Sequence, residues 1–238
     1  MMQREYGFDN GNGTSVSKGL RFLAYPSIEY GREKVENISV AGKKGTLTKR
    51  TGIYTDTIIS NKMEYVSESR ELSETERIVL TEWLKSTKTA SYSDMPDYFF
   101  KVKKVEIDDA LRKYGIYGNL TAEFTCEPGI YLKSGEKAQT VVSGAKLKNP
   151  HSVCSPLYKI SGEGVLTLTV NGKKVTANVG QNLTIDAELM MAYRQDGTIQ
   201  NTALTGDYEE LFLQPGDNTI TFSSGFTVSI IPRWRILL

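Results

Sequence analysis

Two pairs of side chains in this sequence have the chemical types that enzymes use. His151 and Cys154 lie three residues apart in a segment bounded by prolines, and a thiol beside an imidazole can act as a nucleophile with its base. Asp186 and Glu188 lie two residues apart, which places both carboxylates on one face of a strand. Their separation would fall roughly within the ~5–9.5 Å spacing of glycosidase carboxylates.

Neither pair is accompanied by the motif that its chemistry needs. A proline-bounded turn does not direct the imidazole of His151 toward the thiol of Cys154. A Ser-His-Asp triad would depend on the same single histidine, and no nucleophile-elbow motif is present. The Asp186 and Glu188 pattern is more typical of a solvent-facing or hydrogen-bonded strand. We therefore predict that the chain is not an enzyme, with a cell-wall hydrolase as the least favoured alternative.

Metal and cofactor motifs are missing as well. Two cysteines about thirty residues apart and one histidine do not make a zinc pattern. The segments Gly11-Asn12-Gly13 and Gly162-Glu163-Gly164 lack the strand–helix context of a phosphate-binding loop and are interpreted as turns. The sequence thus predicts no catalytic, cofactor-binding or metal residues. Cys126 and Cys154 are interpreted as reduced core residues.

Trp234, between Arg233 and Arg235 near the end of the chain, is the best candidate for a contact site. In one interpretation it grips a ligand. In the favoured one it packs at the bottom of a β-sandwich, while the two arginines pair with acidic neighbours.

Composition and charge describe a soluble protein of two domains. The chain has 238 residues, 39% hydrophobic and 24% charged, with a net charge of +1. There are 20 basic and 19 acidic residues before Ser134, and nine of each from there on, so neither half is a basic nucleic-acid platform. The locally basic segment Lys43–Arg50 is interpreted as a solvated loop rather than a contact to an acidic partner. No apolar run approaches the ~20 residues that span a bilayer, and no signal-peptide core is evident, so a cytoplasmic origin is expected.

The first half is predicted to be antiparallel β-structure with one helix. Residues 9–19 are polar and glycine-rich and predict a flexible loop or arm. The stretch Arg32–Val40 alternates and is followed by a glycine-containing turn, Ala41–Leu47. The candidate buried positions of that alternating stretch are Val35, Ile38 and Val40. Further strands are predicted at Thr57–Val66, Tyr98–Val105 and Tyr117–Cys126.

A single helix is predicted to begin at Ser73 and to end near Thr87. Ser73 and Glu76 have the spacing of a capping box. The residues of the predicted apolar face are Val79, Leu80, Trp83 and Leu84. Trp83 is interpreted as a core anchor rather than a stacking platform.

The second half predicts a β-sandwich or jelly roll. Val165–Val170 alternates, Asn171-Gly172 follows, and alternation resumes through Val179, which is the strongest short signal for a β-hairpin. Short strands are also predicted at Leu183–Glu188, Thr219–Phe222 and Gly225–Ile230.

The order of several short motifs resembles the distal tail protein (Dit) family of long, non-contractile-tailed phages of Gram-positive bacteria. The motifs of the first half are Arg32–Glu36, Val40–Leu47, Gly52–Asp56, Tyr114-Gly115, Phe124–Cys126, and Pro128 with Tyr131. Those of the second half are Asn149-Pro150, Ser155-Pro156, Gly162–Gly164, Leu166–Gly172, Ile185–Glu188, Leu213–Asn218 and Pro232–Arg235. The resemblance covers essentially the whole chain, and its specificity lies in the order of the motifs.

This resemblance implies a mainly β chain of two domains. Residues 1–134 would form an α+β domain that assembles into a homohexameric ring, and residues 135–238 a galectin-like β-sandwich. The ring would join the tail tube protein to the tail-associated hub protein at the distal end of the virion tail, and its periphery is where host-binding receptor-binding proteins would attach. DNA would pass only transiently through the lumen, without membrane insertion.

A carbohydrate-binding module that contacts the host envelope is the alternative function. It draws on the sandwich and its terminal tryptophan. The histidine, arginines and tryptophan with which galectins bind sugar on one sheet face do not map onto this sequence, because His151 lies in a turn and Trp234 at the chain end. No long insertion is present that would form an extended arm.

Overall fold

The computed structural model describes residues 5–69, 73–113 and 116–238, with the side chains of Ser73 and residues 109–113 outside that description. The Tyr114-Gly115 motif and the Ser73 capping side chain therefore lie outside the described parts. The chain forms two compact units, Met1–Ile130 with Leu237–Leu238, and Tyr131–Ile236. The limits 1–134 and 135–238 stay a prediction.

The first unit is an antiparallel sheet with one helix, as predicted. Its strands are β1 (Phe8–Asp9), β2 (Leu20–Phe22), β3 (Ser27–Glu29), β4 (Glu33–Ser39), β5 (Thr46–Tyr54), β6 (Thr57–Val66), β7 (Thr89–Tyr92), β8 (Tyr98–Lys113) and β9 (Tyr117–Cys126), and its helix is α1 (Ser73–Lys85). The main sheet has the order β1-β7-β8-β9-β6-β2, and β3 pairs with the first half of β6. Within the described ranges, the strands β4 and β5 pair only with each other.

The core of this unit lies where α1 packs against β8 and β9. Leu80, Trp83 and Leu84 are buried in it, which confirms the core interpretation of Trp83. Val79 is 53% exposed, so its assignment to the apolar face was wrong. An α-helix turns 100° per residue, and the face centred on Leu80 and Leu84 leaves Val79 at its solvent edge.

Residues 9–19 form a loop that is mostly exposed but is anchored at two buried positions, Asn10 and Ser15. Its predicted flexibility stays a prediction. The Asn10 amide is buried and donates to the carbonyl of Trp83 at 3.4 Å and to the hydroxyl of Thr87 at 3.3 Å. The indole of Trp83 donates back to the carbonyl of Asn12 at 3.4 Å, and Ser15 is fully buried. Polar residues here satisfy each other and the end of the helix rather than solvent.

The second unit is a curled antiparallel sheet that closes over one core. Strands β10 (Ile130–Leu132) and β19 (Arg235–Ile236) pair with each other outside this sheet. The strands of the sheet are β11 (Gln139–Val141), β12 (Ala145–Asn149), β13 (Leu157–Val170), β14 (Lys173–Asp186), β15 (Met191–Tyr193), β16 (Leu204–Thr205), β17 (Gly216–Phe222) and β18 (Thr227–Ile231). Strand β13 pairs with β14 along its whole length. Its first half also pairs with β18, and its end with β17, so one edge of β13 pairs with two strands in succession.

The Gly162-Glu163-Gly164 segment lies inside β13, not in a turn as predicted. It falls between the part of β13 that pairs with β18 and the part that pairs with β17. A Cβ on Gly162 would lie 2.5 Å from the ring of Phe226 and 2.8 Å from the carbonyl of Gly225. Gly162 also has φ 147°, so glycine is required where the strand changes partner.

The predicted β-hairpin is confirmed as β13–β14. Asn171 and Gly172 both have positive φ, 53° and 82°, as a type I′ turn requires. The core of this unit includes Leu166, Leu168 and Val175.

Candidate functional site

The chemistry-bearing residues of the second unit meet around the end of the chain. Arg233 has φ 55°, a left-handed conformation that is uncommon outside glycine and that turns the chain between β18 and β19. Its guanidinium bonds both oxygens of Asp186, with Nη1–Oδ1 at 2.7 Å and Nη2–Oδ2 at 2.8 Å. The same Nη1 lies 3.0 Å from Oε2 of Glu188. One arginine thus holds both carboxylates of the predicted pair.

The contacts of Asp186 are typical of a buried structural ion pair. Asp186 is 1% exposed and also accepts hydrogen bonds from the backbone amides of Glu188 at 3.0 Å and Leu189 at 3.1 Å. Burial acts to raise the pKa of Asp186, but the hydrogen bonds from Arg233 and the two amides outweigh it and lower that pKa. A general acid needs a carboxyl that stays protonated near neutral pH. Asp186 is therefore poorly suited to the general-acid role in a glycosidase.

Trp234 packs in the core of the second unit, which confirms the favoured interpretation. It is 6% exposed and belongs to the cluster that includes Leu211 and Ile230. Its carbonyl accepts from the amide of Leu132 at 2.9 Å. The indole is therefore not available as a platform for a sugar ring.

The two flanking arginines have different roles. Arg233 pairs with carboxylates, as predicted, whereas the Nε of Arg235 donates to the carbonyl of Val153 at 2.8 Å. The prediction of an acidic partner is thus confirmed for Arg233. For Arg235, the described side-chain hydrogen bond is to a backbone carbonyl instead.

The environment of Cys154 does not favour a reactive thiol. Cys154 is fully buried and forms reciprocal backbone bonds with Leu213, at 3.1 and 3.0 Å. Burial raises the pKa of the Cys154 thiol to about 12, with a smaller opposing effect from Arg235, so the thiolate is scarce at neutral pH. Both Cys126 and Cys154 are free and buried, as predicted.

The segment Leu213–Phe222 is held in place by the buried side-chain amide of Asn218. Nδ2 of Asn218 donates to the carbonyls of Gln214 at 2.8 Å and Gly216 at 3.0 Å. Its Oδ1 accepts from the amide nitrogen of Gln214 and from the side chain of Asn171, both at 2.7 Å. The turn before β17 is thereby tied to the turn of the β13–β14 hairpin.

Across the described ranges, no group of three histidine, cysteine, aspartate or glutamate side chains could hold a metal ion. In the same ranges, no helix is long and apolar enough to cross a membrane. The predicted absence of catalytic, cofactor and metal residues stays a prediction.

Two surface features of the first unit were not anticipated. The β4–β5 hairpin is exposed at every residue from 34 to 50, so the predicted burial of Val35, Ile38 and Val40 was wrong. An open groove of about 400 Å³ lies between α1 and the end of β6, lined in part by Tyr65, Val66, Val79 and Leu80. The alternation of β4 correctly predicted a strand. It does not indicate which surface, if any, covers that strand.

Known proteins match this chain in structure only. No protein-family model and no curated protein sequence matches it. The SPP1 Dit protein, described as a paradigm of the hub adsorption apparatus in phages that infect Gram-positive bacteria, has a TM-score of 0.62. The match has 14% identity and covers 95% of this chain and 98% of that one. This chain has the Dit fold.

Two further solved structures agree. A chain of the phage P2 baseplate, in its activated conformation with Ca, has a TM-score of 0.53 at 11% identity, with 96% and 98% of the two chains covered. The phage p2 baseplate in its activated conformation with Sr gives 0.52 at 11%, with 94% and 96% covered. The mainly β fold expected from the sequence motifs is thus confirmed across nearly the whole chain.

Proposed function

We propose that this protein is a structural hub of a phage tail tip or baseplate. The observation that carries the proposal is the full-length match in fold to SPP1 Dit, together with matches to two phage baseplate structures. The resemblance in motif order points to the same role from the sequence. The protein would act at the distal end of the tail, after synthesis in the bacterial host cytoplasm.

The chemistry of the candidate residues supports a role in assembly rather than catalysis. The carboxylates of Asp186 and Glu188 are held by Arg233, and the thiol of Cys154 is buried. These are the residues on which a hydrolase or a thiol enzyme would depend. A hydrolase would clear host cell walls, and clearing that disappears in Asp186→Asn would contradict this part of the proposal.

The partners follow from the resemblance in fold. The protein would form a homohexameric ring, with the tail tube protein on one face and the tail-associated hub protein on the other. Receptor-binding proteins would attach at the periphery, and DNA would cross the lumen only in transit.

Immunogold labelling of the phage tests the location. Antibody against the protein should label the distal end of the tail, with an antibody against a head protein as the control. Labelling of the head alone would contradict the proposal. So would a lack of labelling after mild denaturation has made the epitope accessible in the virion.

A further inference from the structure

One face of the β4–β5 hairpin carries a patch of exposed apolar side chains. In its register Ile38 lies opposite Leu47, and Asn37 opposite Thr48. Because facing residues of an antiparallel pair point to the same side, the two cross-strand pairs lie on opposite faces of the hairpin. Val40, two residues beyond Ile38, extends the first pair into an apolar face.

The apolar patch is bordered on its own face by the Glu36–Lys49 pair, and Val35 lies with Asn37 on the opposite face. On the apolar face Ile38 is 45% exposed, Val40 40% and Leu47 47%. On the other face the hydroxyl of Thr48 donates to Oδ1 of Asn37 at 3.0 Å. An isolated two-stranded hairpin is only marginally stable in water, and such an apolar face is typical of a segment that another surface covers.

The hairpin is also basic. Between residues 33 and 54 there are five basic and two acidic residues. Glu36 lies 3.6 Å from Lys49, and Glu33 lies 3.5 Å from Arg50, so both acidic residues have basic neighbours within the hairpin. Lys43 and Lys44 are exposed in the turn beside the apolar face. A matching surface would be apolar with acidic residues at its rim.

The groove beside α1 has that character. Its apolar lining includes Val66, 47% exposed, and Val79, 53% exposed. Among the described residues that line the groove, Glu68 and Glu76 are acidic and Lys18 is basic. The groove therefore offers exposed aliphatic side chains with an excess of negative charge.

Hairpin and groove lie at opposite ends of one strand. The hairpin ends at Tyr54, just before β6 begins at Thr57, and the groove is lined by Tyr65 and Val66, where β6 ends. Ten strand residues span about 30 Å at ~3.3 Å per residue. Since residues 34–50 are all exposed, the hairpin does not cover the groove of its own chain.

We propose that the β4–β5 hairpin of one copy docks its Ile38, Val40 and Leu47 face into the Val66 and Val79 groove of the next copy. Two different, complementary surfaces on one chain make a head-to-tail contact, and a head-to-tail contact that closes makes a ring. Lys43 and Lys44 then approach Glu68 and Glu76 of the neighbouring copy. This inference rests on the proposed ring and names the surfaces that build it.

Disulfide trapping between two different chains tests the contact. One preparation carries Leu47→Cys and the other Val79→Cys, with a mass tag on one of them. The native Cys126 and Cys154 are buried, so background coupling is low. Mixing equal amounts under oxidation at assembling concentrations should convert about half of the protein to a mixed cross-linked dimer, because the next copy in a randomly mixed ring is of the other type half of the time. Each preparation alone should give little.

Matched controls use neighbours that point elsewhere. Thr48→Cys lies on the opposite face of the hairpin, and Ile78→Cys is as exposed as Val79 but does not line the groove. Mixtures that contain either control should cross-link several-fold less. Val79→Asp should shift the assembled protein toward monomer at a given concentration, whereas Ile78→Asp should not.

The outcomes separate this inference from the ring itself. If the protein assembles but the Leu47–Val79 mixture couples no better than the controls, the contact is wrong while the ring stands, and another protein covers the hairpin. If Leu47→Cys couples efficiently by itself, the hairpins pair symmetrically, which also overturns the contact. If the protein stays monomeric at every concentration and in assembled tails, the ring and the contact both fail.

Discussion

The β13–β14 hairpin and the β4–β5 hairpin both alternate apolar and polar residues around a turn that contains glycine. In the first, Leu168 and Val175 face each other and are each 1% exposed. In the second, Ile38 and Leu47 face each other and are almost half exposed. The same pattern therefore builds a core in one unit and an uncovered face in the other.

The difference shows what periodicity can report. Alternation predicts that one face of a strand will be covered, because removal of apolar side chains from water is favourable. It does not state whether the cover comes from the same chain. Strand β13 has neighbours on both edges, whereas among the described residues β4 and β5 pair only with each other.

The largest expected difference in unfolding free energy is between loss of the buried ion pair of the second unit and loss of an exposed ion pair of the β4–β5 hairpin. Arg233→Ala should lower the free energy of unfolding of the second unit by about 3–5 kcal/mol, because it leaves the carboxylate of Asp186 buried without its partner. Lys49→Ala, which removes an exposed pair with Glu36, should cost roughly 0–1 kcal/mol. Urea denaturation followed by Trp234 fluorescence, in a Trp83→Phe background, measures the first loss. Equal losses for the two variants would contradict the distinction.

Truncation of the apolar pairs should give the next effect. Leu168→Ala should cost about 2–5 kcal/mol, from lost burial and the cavity that remains. Leu47→Ala in the unassembled protein should change the free energy of unfolding by only about 0.5 kcal/mol, as for other surface positions. Urea midpoints at protein concentrations below assembly give both values. A large loss for Leu47→Ala under those conditions would mean that its own chain covers it.

The two turns offer a smaller contrast. Gly172→Ala should cost roughly 1–2 kcal/mol, because φ 82° is unfavourable for a residue with a Cβ. Gly45, with φ 86°, carries the same local penalty. The effect of Gly45→Ala should appear as faster amide exchange of β4 and β5 and not in global unfolding, since we expect that hairpin to open by itself. Equal shifts in global unfolding would indicate that the hairpin folds with the main sheet.

The pH dependence of the second unit should contain a contribution from Asp186. Its pKa is lowered in the folded protein, so the stabilisation is complete above the unfolded pKa, ~3.9, and is lost as the pH falls through the folded pKa. Acid titration of the unfolding free energy should therefore be less steep in Asp186→Asn. Superimposable profiles below about pH 4 would show that the ion pair adds nothing.

Sequence patterns predicted the local structure better than its surroundings. The type I′ turn at Asn171-Gly172, the core role of Trp83 and the packing of Trp234 followed from positive φ, helical spacing and the lack of a ligand motif. Burial of Val35, Ile38 and Val40 was predicted wrongly, since burial depends on a neighbour that a strand pattern does not name. The pairing of Arg233 with Asp186 was foreseen only as an acidic partner, because its contacts join residues 47 apart in sequence.

The loop 9–19 illustrates a different limit. Its glycines and polar residues are typical of a mobile segment, yet Asn10 and Ser15 are buried. Their partners lie at the end of α1 and in β1, and only the folded chain brings them within hydrogen-bonding distance. Composition alone does not distinguish a solvated polar loop from one whose polar groups bond each other.

The mass and shape of the assembled protein test the central claim most directly. Native mass measurement together with electron-microscope images of the purified protein, and of tails that contain it, should show a ring of six copies around a central channel. A strict monomer in solution and in assembled tails would contradict the account.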